Sequence, residues 1–195
     1  MKTLSLLSGI FLAVLVSGAA LAQAPAAAPA APPAPPEVKN IGDWLVRCYP
    51  GQTQSPCDMY QQQNDAKSQQ RVLAISLAYI PRLDKHAIQI SVPLGVSITR
   101  GVVLQAANYT SPAMPYRRCD RGGCYVEMLL ENSVVDQLNH AGDTALLKVT
   151  ADDGKNYQLK ISLNGFTAAH DSMAEQAKAK AKPDAGAAAP APAKK

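Results

Sequence analysis

The chain lacks the signatures of the common reaction centres. It has no Gly-x-Ser-x-Gly elbow, no Gly-x-Gly-x-x-Gly turn and no Walker loop. Those absences remove the sequence support for an α/β-hydrolase, a dinucleotide-binding protein or a P-loop NTPase. Histidine is scarce, with three in 195 residues. None of His86, His140 and His170 has an Asp or Glu at the spacing of a zincin or a catalytic triad. Charge of one sign is missing from the middle of the chain, where residues 40–172 hold twelve Lys or Arg and twelve Asp or Glu. The excess of four positive charges therefore belongs to the ends. A domain without a basic face is not expected to bind nucleic acid. Long apolar runs are missing as well, apart from Leu4 to Val16, which is shorter than the ~20 residues that span a bilayer.

What is present at the ends is distinctive. Lys2, the apolar run and the small residues closing in Ala20-Leu21-Ala22 form the three-part layout of a cleaved secretory signal over residues 1–22. No cysteine stands at the cut, so a lipoprotein anchor is not indicated. Residues 23–39 are rich in Ala and Pro and read either as a semi-rigid linker or as disordered slack. Residues 174–195 form an Ala-, Lys- and Pro-rich tail that is disordered by composition. Within it Glu175 to Lys182 favours a short helix ended by Pro183. The tail's five lysines offer a weak contact to an anionic surface, although a solvated solubility tail is the preferred reading. The mature chain is therefore expected to be exported.

One domain is expected over residues 40–173. Its pieces alternate with period two: "DWLVRCY", "RVLAISLAYI", "HAIQISVP", "GVVLQAA" and "GCYVEMLL". "DTALLKVTA" and "NYQLKISL" flank "DDGK", a hairpin signal. Two stretches read as helices: "NSVVDQLNHAG", with Ser133 as its N-cap, and "GFTAAHDSMAEQAKAK", with Phe166, Ala169, His170 and Met173 along one side. The fold class is mainly β: an antiparallel β-sandwich or open barrel of about seven or more strands with one or two short helices. "MYQQQN" (Met59 to Asn64) offers the polar lining of a sugar groove, but a surface strand and its turn is the preferred reading.

The four cysteines are Cys48, Cys57, Cys119 and Cys124. An even count in an oxidising compartment reads as two disulfides, for which three connectivities exist. Neither spacing makes a convincing zinc site, and no cysteine pair has Cys-x-x-Cys redox spacing. In "CDRGGC" a Gly-Gly turn brings its flanking cysteines within disulfide range. The local pairs Cys48–Cys57 and Cys119–Cys124 are the expected connectivity, and neither a metal nor a cofactor is expected. Arg117, Arg118 and Arg121 surround the second pair and form a candidate patch for a carboxylate or phosphate. Asp120, Glu127 and Glu131 are near enough in sequence to neutralise it.

Together, "GDWLVRC", "CDMYQ", "VPLGVSITRGVVLQ", "YRRCDRGGCYVEM" and "LKISLNGFTAAHDSM" resemble the invasion-associated locus B family of bacterial envelope proteins. The resemblance runs from Gly42 to Met173. It implies an exported, non-enzymatic β-rich protein that acts by binding a host or envelope partner, and it transfers no catalytic residue. The alternatives are a small periplasmic hydrolase acting on envelope sugar or peptide, and a structural envelope-maintenance protein.

Overall fold

The computed structural model describes residues 34–51, 54–107 and 109–181. The expected signal segment 1–22, the linker up to residue 33 and the tail from residue 182 lie outside the described residues. Eleven strands and two helices follow in chain order among the described residues. They are β1 (Glu37–Ile41), β2 (Trp44–Cys48), β3 (Cys57–Asn64), β4 (Arg71–Ile80), β5 (Lys85–Val92), β6 (Val102–Ala106), β7 (Tyr109–Thr110), β8 (Arg118–Asp120) and β9 (Gly123–Leu130). After them come α1 (Asn132–Asn139), β10 (Thr144–Thr150), β11 (Asn156–Ser162) and α2 (Phe166–Lys180). All strand pairs are antiparallel. They form a seven-stranded sheet, β1-β2-β3-β4-β5-β9-β8, and a four-stranded sheet, β11-β10-β6-β7. Both sheets have free edges, so the architecture is an open, sandwich-type fold and not a closed barrel.

Alternation decides which side chains enter the core. On β4 the odd positions Leu73, Ile75, Leu77 and Tyr79 are all at most 5% exposed. They meet Trp44, Val46 and Met59 on one side and Ile88, Ile90 and Val126 on the other, while Leu104, Leu147 and Ile161 come from the second sheet. α2 adds Phe166, Ala169, Met173 and Ala177 at spacings of three and four, one apolar stripe of a helix. It packs against β1 to β4 and covers that part of the inner face. Phe166 meets Trp44 edge to face, with centroids 5.3 Å apart.

Both expected domain boundaries move outward. β1 starts at Glu37, inside the expected linker, because every residue of it pairs with β2, from Glu37 opposite Cys48 to Ile41 opposite Trp44. At the other end α2 passes Met173 without a break, since Ala177, one turn further on, is fully buried. The short helix expected from Glu175 is the second half of α2. Two of the tail lysines are thereby engaged: Lys180 Nζ lies 2.5 Å from Glu37 Oε2, and Lys178 Nζ stands 5.2 Å from the Tyr79 ring centroid. The expected cap also shifts. Glu131 occupies the N-cap of α1, without a side-chain cap bond, because α1 follows directly on β9 and Ser133 already lies in the first turn.

The glycine of "GDW" has a packing reason. Gly42 has φ +57°, and a Cβ there would come within 2.4 Å of Asn164 O. Its own Cα sits against Gly165, the N-cap of α2. This contact locks the β1–β2 turn to the start of the helix, and no larger residue fits it.

The polar run "QQQ" closes a sheet edge instead of lining a groove. Gln61, only 7% exposed, bonds to the backbone of Ser162 in both directions, and Gln63 Nε2 donates to Lys160 O. β11 is an edge strand, and these side chains occupy its unpaired groups.

Candidate functional site

The seven-stranded sheet is packed on one face only. Its registers set the opposite face in rows. Arg47, Asp58, Ala78, Ala87 and Leu129 stand opposite one another across five strands. In the neighbouring row stand Leu45, Tyr60, Ser76, Gln89 and Glu127. The centre of the face is small, at Ala78, Ala87 and Ser76, with the Arg47–Asp58 pair on one side and Glu127 on the other. The result is a shallow trough of about 580 Å³ whose lining includes Tyr49, Asp58, Ser76, Ala78, Ala87, Gln89, Arg117, Glu127 and Leu129.

One wall is built around Asp58. Arg47 grips it bidentately, Nε to Oδ1 at 2.9 Å and Nη2 to Oδ2 at 2.5 Å, and Ser76 Oγ donates to Oδ2 at 2.7 Å. The guanidinium lies over the Tyr60 ring at 4.0 Å. Burial, followed by the negative charge of Asp58, raises the pKa of Tyr49 above its usual value. The opposite wall gathers around Glu127. It accepts from Gln89 Nε2 at 2.9 Å and from Arg118 Nη2 at 3.1 Å, and Arg117 Nε lies 3.4 Å from its other oxygen.

The structure bonds Cys48 to Cys57 and Cys119 to Cys124. Each pair joins residues directly opposite on neighbouring strands. The first lies in the core, whereas Cys119 is exposed beside buried Cys124. "CDRGGC" is a hairpin with a two-residue loop, since Asp120 pairs with Gly123. Gly123 has φ +133°, and a Cβ would strike Val92 O at 2.2 Å. Asp120 Oδ1 accepts the Gly122 N–H at 2.7 Å, which holds this carboxyl below its usual pKa.

The three candidate arginines divide. Arg117 and Arg118 join the Glu127 wall, and Arg118 also pairs with Asp120 at 2.5 Å and stacks on Tyr125 at 3.9 Å. Arg121 stands at the hairpin tip with no ion pair or hydrogen bond among the described residues. Glu131 takes no part, because it pairs with Lys85 at 2.6 Å. Sequence reasoning missed Arg47, Asp58 and Ser76. The available signal was parity: each occupies the position in its strand that alternates with buried core residues. Elsewhere an apolar recess of about 300 Å³ opens between the sheets, where Pro93, Leu94 and Val96 meet Val149 and Leu159. Among the described residues no group of three or more His, Cys, Asp or Glu is arranged to hold a metal ion.

Comparison with known proteins bears on this geometry. The family model described as Invasion associated locus B (IalB) protein matches residues 44–174. Two invasion protein B homologues of Brucella abortus, from strain 2308 and from biovar 1 strain 9-941, are each 25% identical over 136 residues. That alignment covers 70% of this chain and 78% of each relative. The crystal structure of invasion associated protein B from Bartonella henselae superposes with a TM-score of 0.63 at 21% identity. It covers 73% of this chain and 99% of that one, and shows the same fold.

Proposed function

The chain belongs to the invasion associated locus B family, and from that premise we propose that it is an exported, non-enzymatic binding protein whose partner docks in the trough of the seven-stranded sheet. The observation that carries this reading is the one-sided packing of that sheet. Its outer face presents a small-residue floor at Ala78 and Ala87 between two walls of fixed charge. Preset ion pairs of this kind present charge without having to be ordered on binding, which lowers the cost of association. Arg121 adds an unpaired cation near one end.

Export is supported by the layout of residues 1–22 and by two disulfides, which persist in oxidising compartments. The partner is a host or envelope component with both acidic and basic groups, in the periplasm or at the outer membrane. The lysines beyond α2, at 182, 194 and 195, supply a weak second contact to an anionic surface. A hydrolase finds less support in the trough. Ser76 Oγ is within reach of Asp58, but no histidine lines the depression to activate it.

The test is crosslinking in intact cells with a photoreactive residue at Ala87. A discrete crosslinked partner that disappears in an Ala78→Arg background, where the floor is filled, is the expected result. No adduct, or an adduct indifferent to Ala78→Arg, would overturn the proposal.

A further inference from the structure

Away from the trough, two histidines that lie 84 residues apart in the chain meet at their ring tips, with the rings tilted by 40°. His86, on β5, is 5% exposed, and His170 comes from α2. Their Nε2 atoms are 2.9 Å apart. The hydrogen bonds on the far side of each ring decide which nitrogen carries the proton. Asn132 Nδ2 donates to Asp84 O at 2.9 Å, which turns Asn132 Oδ1, an acceptor, toward His86 Nδ1 at 3.0 Å. His170 Nδ1 faces another acceptor, Asp171 Oδ1, at 3.1 Å. With both Nδ1 atoms donating, both Nε2 atoms turn lone pairs toward each other, whereas the other tautomer of either ring makes an Nε2–H···Nε2 hydrogen bond. Two facing lone pairs at this distance repel unless a proton or a metal ion lies between or beside them.

We propose that His86 Nε2 and His170 Nε2 are the two protein ligands of a divalent transition-metal site, with solvent completing the coordination shell. A carboxylate or carbonyl on the Nδ1 of a ligand imidazole is the usual outer shell of such sites, and it fixes both tautomer and ring orientation. The separation also fits. Nitrogens about 2.0–2.1 Å from a metal and at right angles to each other stand about 3 Å apart. That matches the tetragonal geometry of Cu²⁺ or Ni²⁺, and tetrahedral Zn²⁺ requires the rings to open by a few tenths of an ångström. The histidines border a recess of about 210 Å³ that has room for water ligands. Asp84 and Asp136 also line it, against one cation, Lys178. The surroundings thus favour positive charge. Imidazole and water select the copper, nickel and zinc class over calcium or magnesium. The bound ion would tie α2 to β5.

The experiment titrates the chelator-stripped full chain with CuSO₄, NiCl₂ and ZnCl₂ near neutral pH, reading ion uptake and the melting temperature. One ion per chain and a raised melting temperature are expected, with Cu²⁺ held most tightly. His170→Ala should abolish that uptake, and His140→Ala should leave it intact. Asp171→Ala, at an exposed position, should weaken uptake about tenfold by releasing the His170 ring. Uptake unchanged in His170→Ala would overturn the proposal. Because a variant can misfold, imidazole nitrogen NMR of the wild type gives an independent reading. Zn²⁺ should shift the Nε2 resonances of His86 and His170 and spare those of His140. If those resonances respond to pH and not to any of the three metals, the pair shares only a proton and the metal site does not exist.

Discussion

Gln61 and Ser162 exchange two hydrogen bonds: Ser162 N donates to Gln61 Oε1 at 2.9 Å, and Gln61 Nε2 donates to Ser162 O at 3.1 Å. This is the pattern a neighbouring strand would offer, supplied by a side chain from the other sheet. It seals the edge of β11 and joins the two layers of the sandwich. Gln61→Leu keeps the volume and removes both bonds, leaving a backbone N–H without its partner. The expected cost is roughly 1–3 kcal/mol. Urea unfolding should show a lower midpoint at unchanged slope. An unchanged midpoint would mean that the junction is not held by this side chain.

The Arg47–Asp58 pair should discriminate between Arg and Lys. Lysine keeps the charge but loses the two-pronged grip and the stacking on Tyr60. Arg47→Lys is expected to lose about 1 kcal/mol and Arg47→Ala more, because the buried Asp58 is left with Ser76 as its remaining partner. A double-mutant cycle with Asp58→Asn measures the coupling. Additive effects would show that the pair contributes nothing beyond its separate members.

The two disulfides should differ in their reaction with reductant. Thiolate attack requires access to sulfur, and Cys119 is exposed while Cys48 and Cys57 are 2% and 1% exposed. Mild reduction of the folded protein followed by alkylation should label Cys119 and Cys124 first. Labelling of the other pair should track global unfolding. Mass spectrometry reads the order directly, and simultaneous labelling would contradict it. Removing either bond by paired Ser substitution should cost roughly 2–3 kcal/mol on the chain-entropy model.

Tyr116 predicts an alkaline effect. Its hydroxyl is buried without a hydrogen-bond partner among the described residues, and burial pushes its pKa from 10.0 up to about 12. The unfolded chain then releases the proton first. The contribution to stability is complete below pH 10 and is lost as pH rises toward about 12. Tyr116→Phe should be neutral or slightly stabilising at pH 7, since no bond is lost. It should also flatten the fall in stability above pH 10, though not abolish it, because Asp84 raises Tyr79 to about 12 as well. Equal alkaline slopes for the two proteins would refute the assignment.

Local chemistry made much of this protein legible from the chain alone. The period-two runs marked β2, β4, β5, β6, β9, β10 and β11, because a half-buried strand must alternate. "DDGK" marked the β10–β11 hairpin, and the family motifs marked the family. Short-range geometry suggested the Cys119–Cys124 pair, since a tight turn brings its own ends together. Small strands without alternation, such as β1, β7 and β8, gave no such signal. They exist because a neighbouring strand offers them hydrogen bonds.

The trough, the sealed edge and the histidine pair belong to the tertiary structure. Gln89 meets Glu127 across 38 residues, Gln61 meets Ser162 across 101, and His86 meets His170 across 84. Parity tells which face a side chain takes, but not which strand lies beside it. That choice is made by how two sheets and a helix share one buried core. The same core drew α2 past Met173, because Ala177 could be buried there, although the composition of the segment reads as a solvated tail.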